Sequence, residues 1–173
     1  MAIVPDTKNW TWVLERECPE CGFDSSATEA SAVAGLVREN AAAWPAVLER
    51  AGVRERPDDA TWSALEYGAH VRDVFRVSQK RFALMLAETD PEFADWDQDA
   101  TAVEDRYGEQ DPAVVARQLV EEGEALAALL ESVPADAWER RGFRSDGSAF
   151  TVDTLARYVI HDPVHHLHDV HGD

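Results

Sequence analysis

Residues 62–91 read WSALEYGAHVRDVFRVSQKRFALMLAETDP, a long amphipathic stretch near the middle of the chain. Ser63 and Glu66 have the spacing of a helix capping box, and Trp62 and Tyr67 are placed to pack together as a hydrophobic staple. Apolar residues then recur at helical spacing until the Asp-Pro pair that closes the stretch. The stretch therefore predicts a long helix with one buried face.

Three further segments carry helical spacing and their own start signals. The first covers about residues 26–52 and opens on a second capping-box pattern, Ser26 with Glu29. The next covers 111–133, where an Asp-Pro pair marks the start and a proline marks the end. The last begins near residue 151 and runs through a histidine-rich end. These three segments and the central stretch together predict four helices.

The connections between these helices indicate how they are arranged. A short hairpin is the only strand pattern, at residues 141–150, so we expect an all-α four-helix bundle. The short link at 54–60 predicts that the first two helices are antiparallel neighbours. The link at 89–111, about twenty residues, is longer than usual and predicts a crossover between the second and third helices. Trp96 and Tyr107 favour packing of this link against the bundle.

The chain has 173 residues and a formal net charge of −18, from 34 acidic and 16 basic residues. This length suits one compact domain with its own core. The acidic balance argues against nucleic acid or an anionic membrane as a partner, because both attract clustered Lys and Arg. No apolar run approaches a membrane span, and the first residues lack a signal-peptide pattern. We therefore expect a cytoplasmic protein.

Histidine is the residue type that points to chemistry. Five of the six histidines lie in residues 161–171. His161 and His165 are four residues apart, so on a continuous helix they share a face and can offer two imidazoles to one metal ion. His70, in the second predicted helix, supplies a third. Three imidazoles with an open fourth position are a usual ligand set of a catalytic zinc-type site, so these three are the predicted metal ligands.

Two carboxylates and a proline bear on this prediction. Asp162 and Glu66 are placed to orient the imidazole rings by hydrogen bonding, although the capping box is an alternative role for Glu66. Pro163 lies between the two histidines of the last helix. It predicts either a kink or a helix restart in which Asp162 is the cap.

An N-terminal extension, residues 1–25, precedes the predicted bundle domain at 26–173, and we expect it to pack on that bundle. It carries a Cys-x-x-Cys pattern, Cys18 and Cys21, which is half of a structural zinc site. Three other interpretations stay open. The cysteines can form a redox pair, place a thiol beside the three-histidine metal, or lie as ordinary residues in a capping segment.

The amino-acid sequence of residues 62–73 and 161–166 resembles that of the DinB-like (YfiT-like) superfamily of metal-binding four-helix bundles. That superfamily includes actinobacterial mycothiol-dependent S-transferases and the N-terminal domain of maleylpyruvate isomerase. The resemblance covers nearly the whole chain from residue 27. It implies a bundle with an unusual crossover, a homodimer, and a divalent metal, with zinc ahead of nickel or iron. Carried over, the ligands are His70, His161 and His165.

Two functional hypotheses follow. In the first, the chain is an enzyme whose metal activates a small thiol of the mycothiol type for S-transfer to a small electrophile or for isomerisation. Arg144 is a candidate for binding an anionic group of that substrate. In the second, the chain is a non-catalytic or stress-associated protein with a structural metal, and Glu66, Cys18 or Cys21 closes the site as a further ligand. Histidines that bind no metal are the remaining alternative.

Overall fold

A computed structural model describes residues 9–171 of the chain, so residues 1–8 of the predicted extension and 172–173 of the predicted bundle domain lie outside the described part. Five α-helices lie in the described part: α1 (Val33–Leu48), α2 (Ala64–Ala87), α3 (Gln98–Glu104), α4 (Pro112–Glu131) and α5 (Val152–His171). Two short strands pair antiparallel: β1 (Arg141–Phe143) and β2 (Ala149–Thr151). The predicted all-α fold is confirmed, and the short hairpin is present.

The four long helices form the bundle, with α1 diagonal to α2 and α4 diagonal to α5. Helices α4 and α5 each pack against both α1 and α2, whereas α1 and α2 have few contacts with each other. The prediction that the first two helices are antiparallel neighbours is therefore wrong. The connection between them, residues 49–63, is long enough to cross the end of the bundle and reach the diagonal corner. The crossover predicted between α2 and α4 is present. Arg72 and Arg76 of α2 contact Gln118 and Glu122 of α4 in the same order along both helices, so the two helices run parallel and the link between them returns along the bundle.

The core lies between these helices and takes large apolar side chains from each of them. Fully buried examples, one per helix in chain order, are Trp44, Phe75, Leu119 and Leu155. Burying a side chain of this kind stabilises the fold by roughly 1.5–3 kcal/mol. Helices α1 and α4 approach closely at Gly123, where an added Cβ would lie 2.7 Å from the Cβ of Ala41.

The start of α2 follows the pattern in its sequence. The Ser63 hydroxyl accepts a hydrogen bond from the Glu66 amide at 3.3 Å, and the Glu66 carboxylate accepts one from the Ser63 amide at 2.8 Å. The rings of Trp62 and Tyr67 lie 5.6 Å apart as the predicted staple. These contacts fix where α2 begins and therefore where His70 lies.

The long link after α2 is packed against the bundle, as Trp96 and Tyr107 predict. It contains α3 and a 3-10 turn, Tyr107–Glu109. Tyr107 is buried and its hydroxyl donates to the Asp73 carboxylate at 2.6 Å. Trp96 lies against His70 with ring centroids 5.6 Å apart. The link therefore covers the face of α2 that carries His70.

Helix α1 begins at Val33, later than its sequence predicts. The Asp24 side chain accepts hydrogen bonds from the backbone of Ser26 and Ala27 at 2.9 and 3.2 Å. Ser26 therefore lies in an Asp-centred turn and does not cap a helix. Glu29 precedes a 3-10 turn and makes no side-chain capping bond. The capping box predicted at Ser26 and Glu29 is therefore wrong.

Two prolines lie inside continuous helices, Pro45 in α1 and Pro163 in α5. Proline removes one backbone hydrogen bond from a helix, and packing against neighbours offsets that loss. Asn40 of α1 donates from its Nδ2 to the Pro163 carbonyl at 2.8 Å, which ties the two helices together at this point. Because α5 is continuous through Pro163, helical periodicity sets the directions of all its histidines.

The described part of the N-terminal extension lies against α5. A 3-10 helix, Trp10–Leu14, packs on α5, and Val13 and Cys18 are buried. Backbone hydrogen bonds from the Cys18 amide to the Phe23 carbonyl and from the Gly22 amide to the Cys18 carbonyl, both 2.9 Å, close a tight loop. Among the described residues, no helix combines the length and apolar character that a membrane span requires.

Candidate metal centres

Two groups of potential metal-ligating side chains lie on two neighbouring faces of α5. Successive helical residues point about 100° apart, so residues four apart share a face and adjacent residues do not. The first group, the α2–α5 cluster, consists of His70, Asp162 and His166. The second group, the cysteine cluster, consists of Cys18, Cys21, His161 and His165. Within each group the potential ligand atoms lie within 4.8 Å of one another.

The α2–α5 cluster is organised around the Asp162 carboxylate. His70 Nε2 lies 3.2 Å from Asp162 Oδ1, and His166 Nε2 lies 3.7 Å from the same oxygen. The other ring nitrogen of His166, Nδ1, lies 2.9 Å from Asp169 Oδ2. A carboxylate at Nδ1 favours the proton there and leaves Nε2 with a lone pair directed at the cluster.

Aromatic side chains hold His70 in place. Its side chain has no solvent exposure, and Trp96 stacks on it with an angle of 8° between the ring planes. Trp62 packs nearby with ring centroids 5.3 Å apart. The Nδ1 atom of His70 has no hydrogen-bond partner among the described residues. His70 therefore meets polar partners at Nε2, the atom that faces Asp162.

The Asp162 carboxyl is kept ionised by its neighbours. Burial alone would raise its pKa, but the positive charge that His70 and His166 carry when protonated outweighs burial and holds the pKa of Asp162 well below its usual range. A carboxylate binds a metal ion in its ionised form. Asp162 is therefore in the form that a ligand requires at neutral pH.

In the cysteine cluster each sulfur faces one imidazole of α5. Cys18 Sγ lies 3.7 Å from His165 Nδ1, and Cys21 Sγ lies 3.7 Å from His161 Nε2. Both cysteines are free thiols. The indole of Trp10 lies against both imidazoles, with ring centroids 5.5 Å from His161 and 5.7 Å from His165.

Burial changes the protonation of this cluster. Burial, together with the neighbouring imidazole of His165, lowers the pKa of His161 to about 4, so this ring is neutral at pH 7. Burial raises the pKa of Cys21 to about 11, and the adjacent Cys18 adds to that effect. In the metal-free protein the Cys21 thiol is therefore protonated. A bound metal ion would have to displace that proton, because thiolate is the ligand form.

The structure places the three predicted histidine ligands in two different clusters. His161 and His165 lie with the cysteines, whereas His70 lies with Asp162 and His166. The reason is rotation about the axis of α5, since the face that meets α2 carries residues 162 and 166. Sequence reasoning missed His166 as a ligand candidate, although its four-residue spacing from Asp162 matches that of the chosen pair.

Two other candidate residues, Glu66 and Arg144, belong to neither cluster. Glu66 caps α2, and its carboxylate pairs with Arg56; among the described residues it forms no hydrogen bond or ion pair with a histidine of either cluster. Its capping role, the alternative given by the sequence, is the one observed. Arg144 lines a cavity beside the clusters, and its guanidinium lies 3.4 Å from Asp146.

A cavity of about 750 Å³ adjoins both clusters. Its lining includes Asp162 and His166 from the first cluster and His161 and His165 from the second. The remaining wall is mixed in charge. It carries two guanidinium groups, from Arg81 and Arg144, aromatic side chains that include Tyr158 and Trp96, and five further carboxylates, from Glu20, Asp95, Asp97, Asp99 and Asp169. The volume lies within the usual range of small-molecule sites. A small ligand in this cavity would therefore be bordered by both clusters, by two guanidinium groups and by several carboxylates.

The two arginines of this wall affect each other. Burial and the nearby positive charge of Arg144 lower the pKa of Arg81. The Nε atom of Arg81 is buried without a hydrogen-bond partner in the described residues. Burial raises the pKa of Tyr158, and Arg144 opposes that shift. Arg81 and Arg144 therefore lie near each other in the cavity wall, with Asp95 also close, and are the candidates there for binding a carboxylate or another anion.

Comparisons with known proteins agree with this architecture. The model of the DinB superfamily matches residues 26–170. Among solved structures, the chain is similar to YfiT from Bacillus subtilis, described as a probable metal-dependent hydrolase with an unusual four-helix bundle topology. That match has 22% identity and a TM-score of 0.72, and covers 80% of this chain and 82% of the other. No curated protein matches the chain.

Proposed function

Because the chain belongs to the DinB superfamily, we propose that it is a divalent-metal-dependent enzyme that activates a small thiol of the mycothiol type. The observation that carries the proposal is the α2–α5 cluster beside the cavity, with His70, Asp162 and His166 as the residues that would hold the ion. The reaction is S-transfer to a small electrophile or isomerisation of a small electrophile. The proposed ligand set replaces the three histidines that the sequence and the resemblance suggest.

The donor atoms suit such an ion. Two imidazoles and one carboxylate are a ligand set of catalytic zinc and of non-haem iron sites. All-imidazole and mixed sites accept several divalent metals, so zinc, nickel and iron are each compatible. Asp169 orients His166, and Trp96 and Trp62 restrict the ring of His70, so the chain itself fixes the donors.

The number of ligand candidates in the α2–α5 cluster also favours a catalytic role over a purely structural one. Among the described residues, the group of His70, Asp162 and His166 contains no fourth ligand candidate. Glu66, which could have closed it, is engaged in the α2 cap and with Arg56. A catalytic site keeps a coordination position for substrate or water, whereas a structural site is closed. When bound, the ion would lower the pKa of the thiol or water that takes this position.

The arginine wall supports an anionic electrophile as the second substrate. Arg81 and Arg144 face the same cavity as Asp162 and His166. Guanidinium binds carboxylate in a planar, two-point contact, which positions a small acid better than a single ammonium would. The chain's own residues would thus bind the acid at one end of the cavity and the thiol at the other.

The test compares ligand variants with a matched histidine on the same helix. Zinc-, nickel- and iron-loaded wild type is assayed with mycothiol and monochlorobimane, and with mycothiol and maleylpyruvate. We expect turnover that falls by about 100-fold or more in His70→Ala and His166→Ala, because loss of a ligand costs at least as much as loss of its orienting partner. His168→Ala, which removes an exposed histidine of α5, keeps full activity. Arg144→Ala raises the KM for maleylpyruvate.

Other results would contradict the proposal in different ways. Unchanged activity in His166→Ala together with loss in His165→Ala would return the site to the three-histidine set. Metal that binds to wild type and is lost in His70→Ala and His166→Ala, without turnover of either thiol reaction, would favour the second candidate, a non-catalytic or stress-associated bundle protein.

A further inference from the structure

We propose that Cys18, Cys21, His161 and His165 form a second, closed metal site, a Cys2His2 zinc site that fastens the N-terminal extension to α5. It is separate from the α2–α5 cluster, with which it shares no ligand. The proposal does not depend on the enzymatic function, since it rests on the positions of these four side chains alone.

The distances between the donor atoms match a tetrahedral zinc site. Zinc binds cysteine sulfur at about 2.3 Å and histidine nitrogen at about 2.0–2.1 Å, which places sulfur and nitrogen about 3.6 Å apart at a tetrahedral angle. The two sulfur–nitrogen pairs of the cluster are each 3.7 Å apart. All four donors lie within 4.8 Å of one another. The four donors are therefore close enough to one another to bind a single ion.

The backbone around the cysteines is arranged to present both sulfurs. The loop of residues 18–23 is closed by the two backbone hydrogen bonds at Cys18. Gly22 lies in this loop with φ of 72°, a left-handed conformation that glycine adopts without strain. A Cys-x-x-Cys loop of this kind supplies two thiolates from one turn, and α5 supplies two imidazoles from one helical face.

The orientation of His165 supports metal binding at its other nitrogen. His165 Nε2 lies 3.4 Å from Glu20 Oε2 and 3.6 Å from Asp169 Oδ1. Carboxylates at Nε2 favour the proton on that atom, which leaves the Nδ1 lone pair directed at Cys18. Metal-bound histidines usually donate their second ring N–H to a carboxylate, carbonyl or water. Glu20 lies between the two cysteines, so the extension brings both ligands and an orienting group.

The ligand set indicates zinc and a structural role. Two thiolates and two imidazoles complete a four-coordinate shell, which leaves no position for substrate. Two thiolates also neutralise the divalent ion, so the buried unit carries no net charge. The thiol protons leave for solvent when the ion binds. The site therefore joins two parts of the chain more than a hundred residues apart.

Cobalt reports directly on thiolate ligation in the full chain. Reduced, chelator-treated protein is titrated with Co²⁺ and then with Zn²⁺. We expect a thiolate-to-cobalt charge-transfer band in wild type that zinc removes. The double variant Cys18→Ser, Cys21→Ser loses the band, and His161→Ala or His165→Ala weakens it. His70→Ala and the matched control His168→Ala keep it, which separates this site from the α2–α5 cluster.

A second measurement needs no variant and so does not depend on variant folding. Alkylation of the two cysteines by iodoacetamide is followed in wild type with and without zinc. We expect zinc to suppress alkylation of both. Equal alkylation with and without zinc, or the absence of a charge-transfer band in folded wild type, would overturn the proposal. Retention of the band in His165→Ala at wild-type strength would remove α5 from the site.

Discussion

At the scale of single residues, the composition of each metal cluster depends on the directions of two adjacent side chains of α5, His165 and His166. His165 meets a cysteine of the extension, whereas His166 meets Asp162 and the α2 face. The sequence shows both histidines, but their directions depend on the rotation of α5 in the bundle. That rotation is set by packing against α1 and α2, which no local pattern encodes. The residue types were therefore predictable, and their grouping was not.

A buried carboxylate on α2 gives a prediction at this scale. Asp73 pairs with Arg72 at 3.0 Å and accepts from Tyr107 at 2.6 Å. Burial alone would raise its pKa, but these partners hold the pKa of Asp73 below its ordinary value of 3.8. We expect Asp73→Asn to lower the free energy of unfolding at pH 7 by about 3 kcal/mol, since it leaves the buried guanidinium of Arg72 without a carboxylate partner. Urea denaturation measures the change.

The pH dependence of that difference follows from the direction of the shift. A carboxyl whose folded-state pKa is depressed adds stability above its unfolded pKa, and loses it as pH falls through the folded value. The gap between wild type and Asp73→Asn should therefore be constant near neutral pH and shrink below about pH 3.8. The control is Asp153→Asn, which removes a partly exposed pair with Arg157 and should cost less than about 1 kcal/mol. Equal losses in the two variants would contradict the prediction.

At the scale of elements, sequence patterns worked best where contacts are local. The capping box and staple at the start of α2 were predictable because all partners lie within five residues. The start of α4 was predictable for the same reason, since Asp111 caps it with its own side chain. The start of α1 was not predictable, because the Asp24 side chain accepts a hydrogen bond from the Ser26 amide and Ser26 does not cap a helix. The diagonal placement of α1 and α2 depends on which helices pack between them.

The close approach of α1 and α4 predicts opposite effects for two glycine substitutions. A Cβ at Gly123 would lie 2.7 Å from the Cβ of Ala41, so Gly123→Ala forces the helices apart. We expect it to lower the free energy of unfolding by about 1–2 kcal/mol. Gly35 of α1 has no atom within 4 Å of an added Cβ, so Gly35→Ala should add about 0.5–1 kcal/mol through helix propensity. Thermal denaturation compares them, and a stabilising Gly123→Ala would contradict the packing argument.

At the scale of the whole molecule, the extension and the bundle come together through α5. The extension contributes both cysteines, and the bundle contributes every ligand of the α2–α5 cluster. The family match begins at residue 26, after the cysteines. The sequence left four roles open for the cysteine pair, because its partners lie about 140 residues away. The homodimer that the resemblance implies stays a prediction.

Limited proteolysis tests how the extension is held. Arg16 is exposed and lies just before the cysteine loop. We expect trypsin to cut after Arg16 faster when zinc is removed, because the extension then opens more readily than the bundle. Cleavage at Arg106, an exposed residue of the long link, should not respond to zinc and is the internal control. The double variant Cys18→Ser, Cys21→Ser should be cut at the same rate with and without zinc. Zinc-independent cleavage of wild type at Arg16 would contradict this prediction.

Asp169 has a consequence for the relation between the two clusters. One of its oxygens lies 2.9 Å from His166 and the other lies 3.6 Å from His165. A single carboxylate thus lies beside one ligand candidate of each cluster, with a hydrogen bond to His166 and an electrostatic contact with His165. If each cluster holds an ion, occupancy of one alters the carboxylate that prepares the other, and thermodynamic linkage makes that influence equal in both directions. The extension and the cavity would then be coupled through one side chain, without any movement of the helix that carries it.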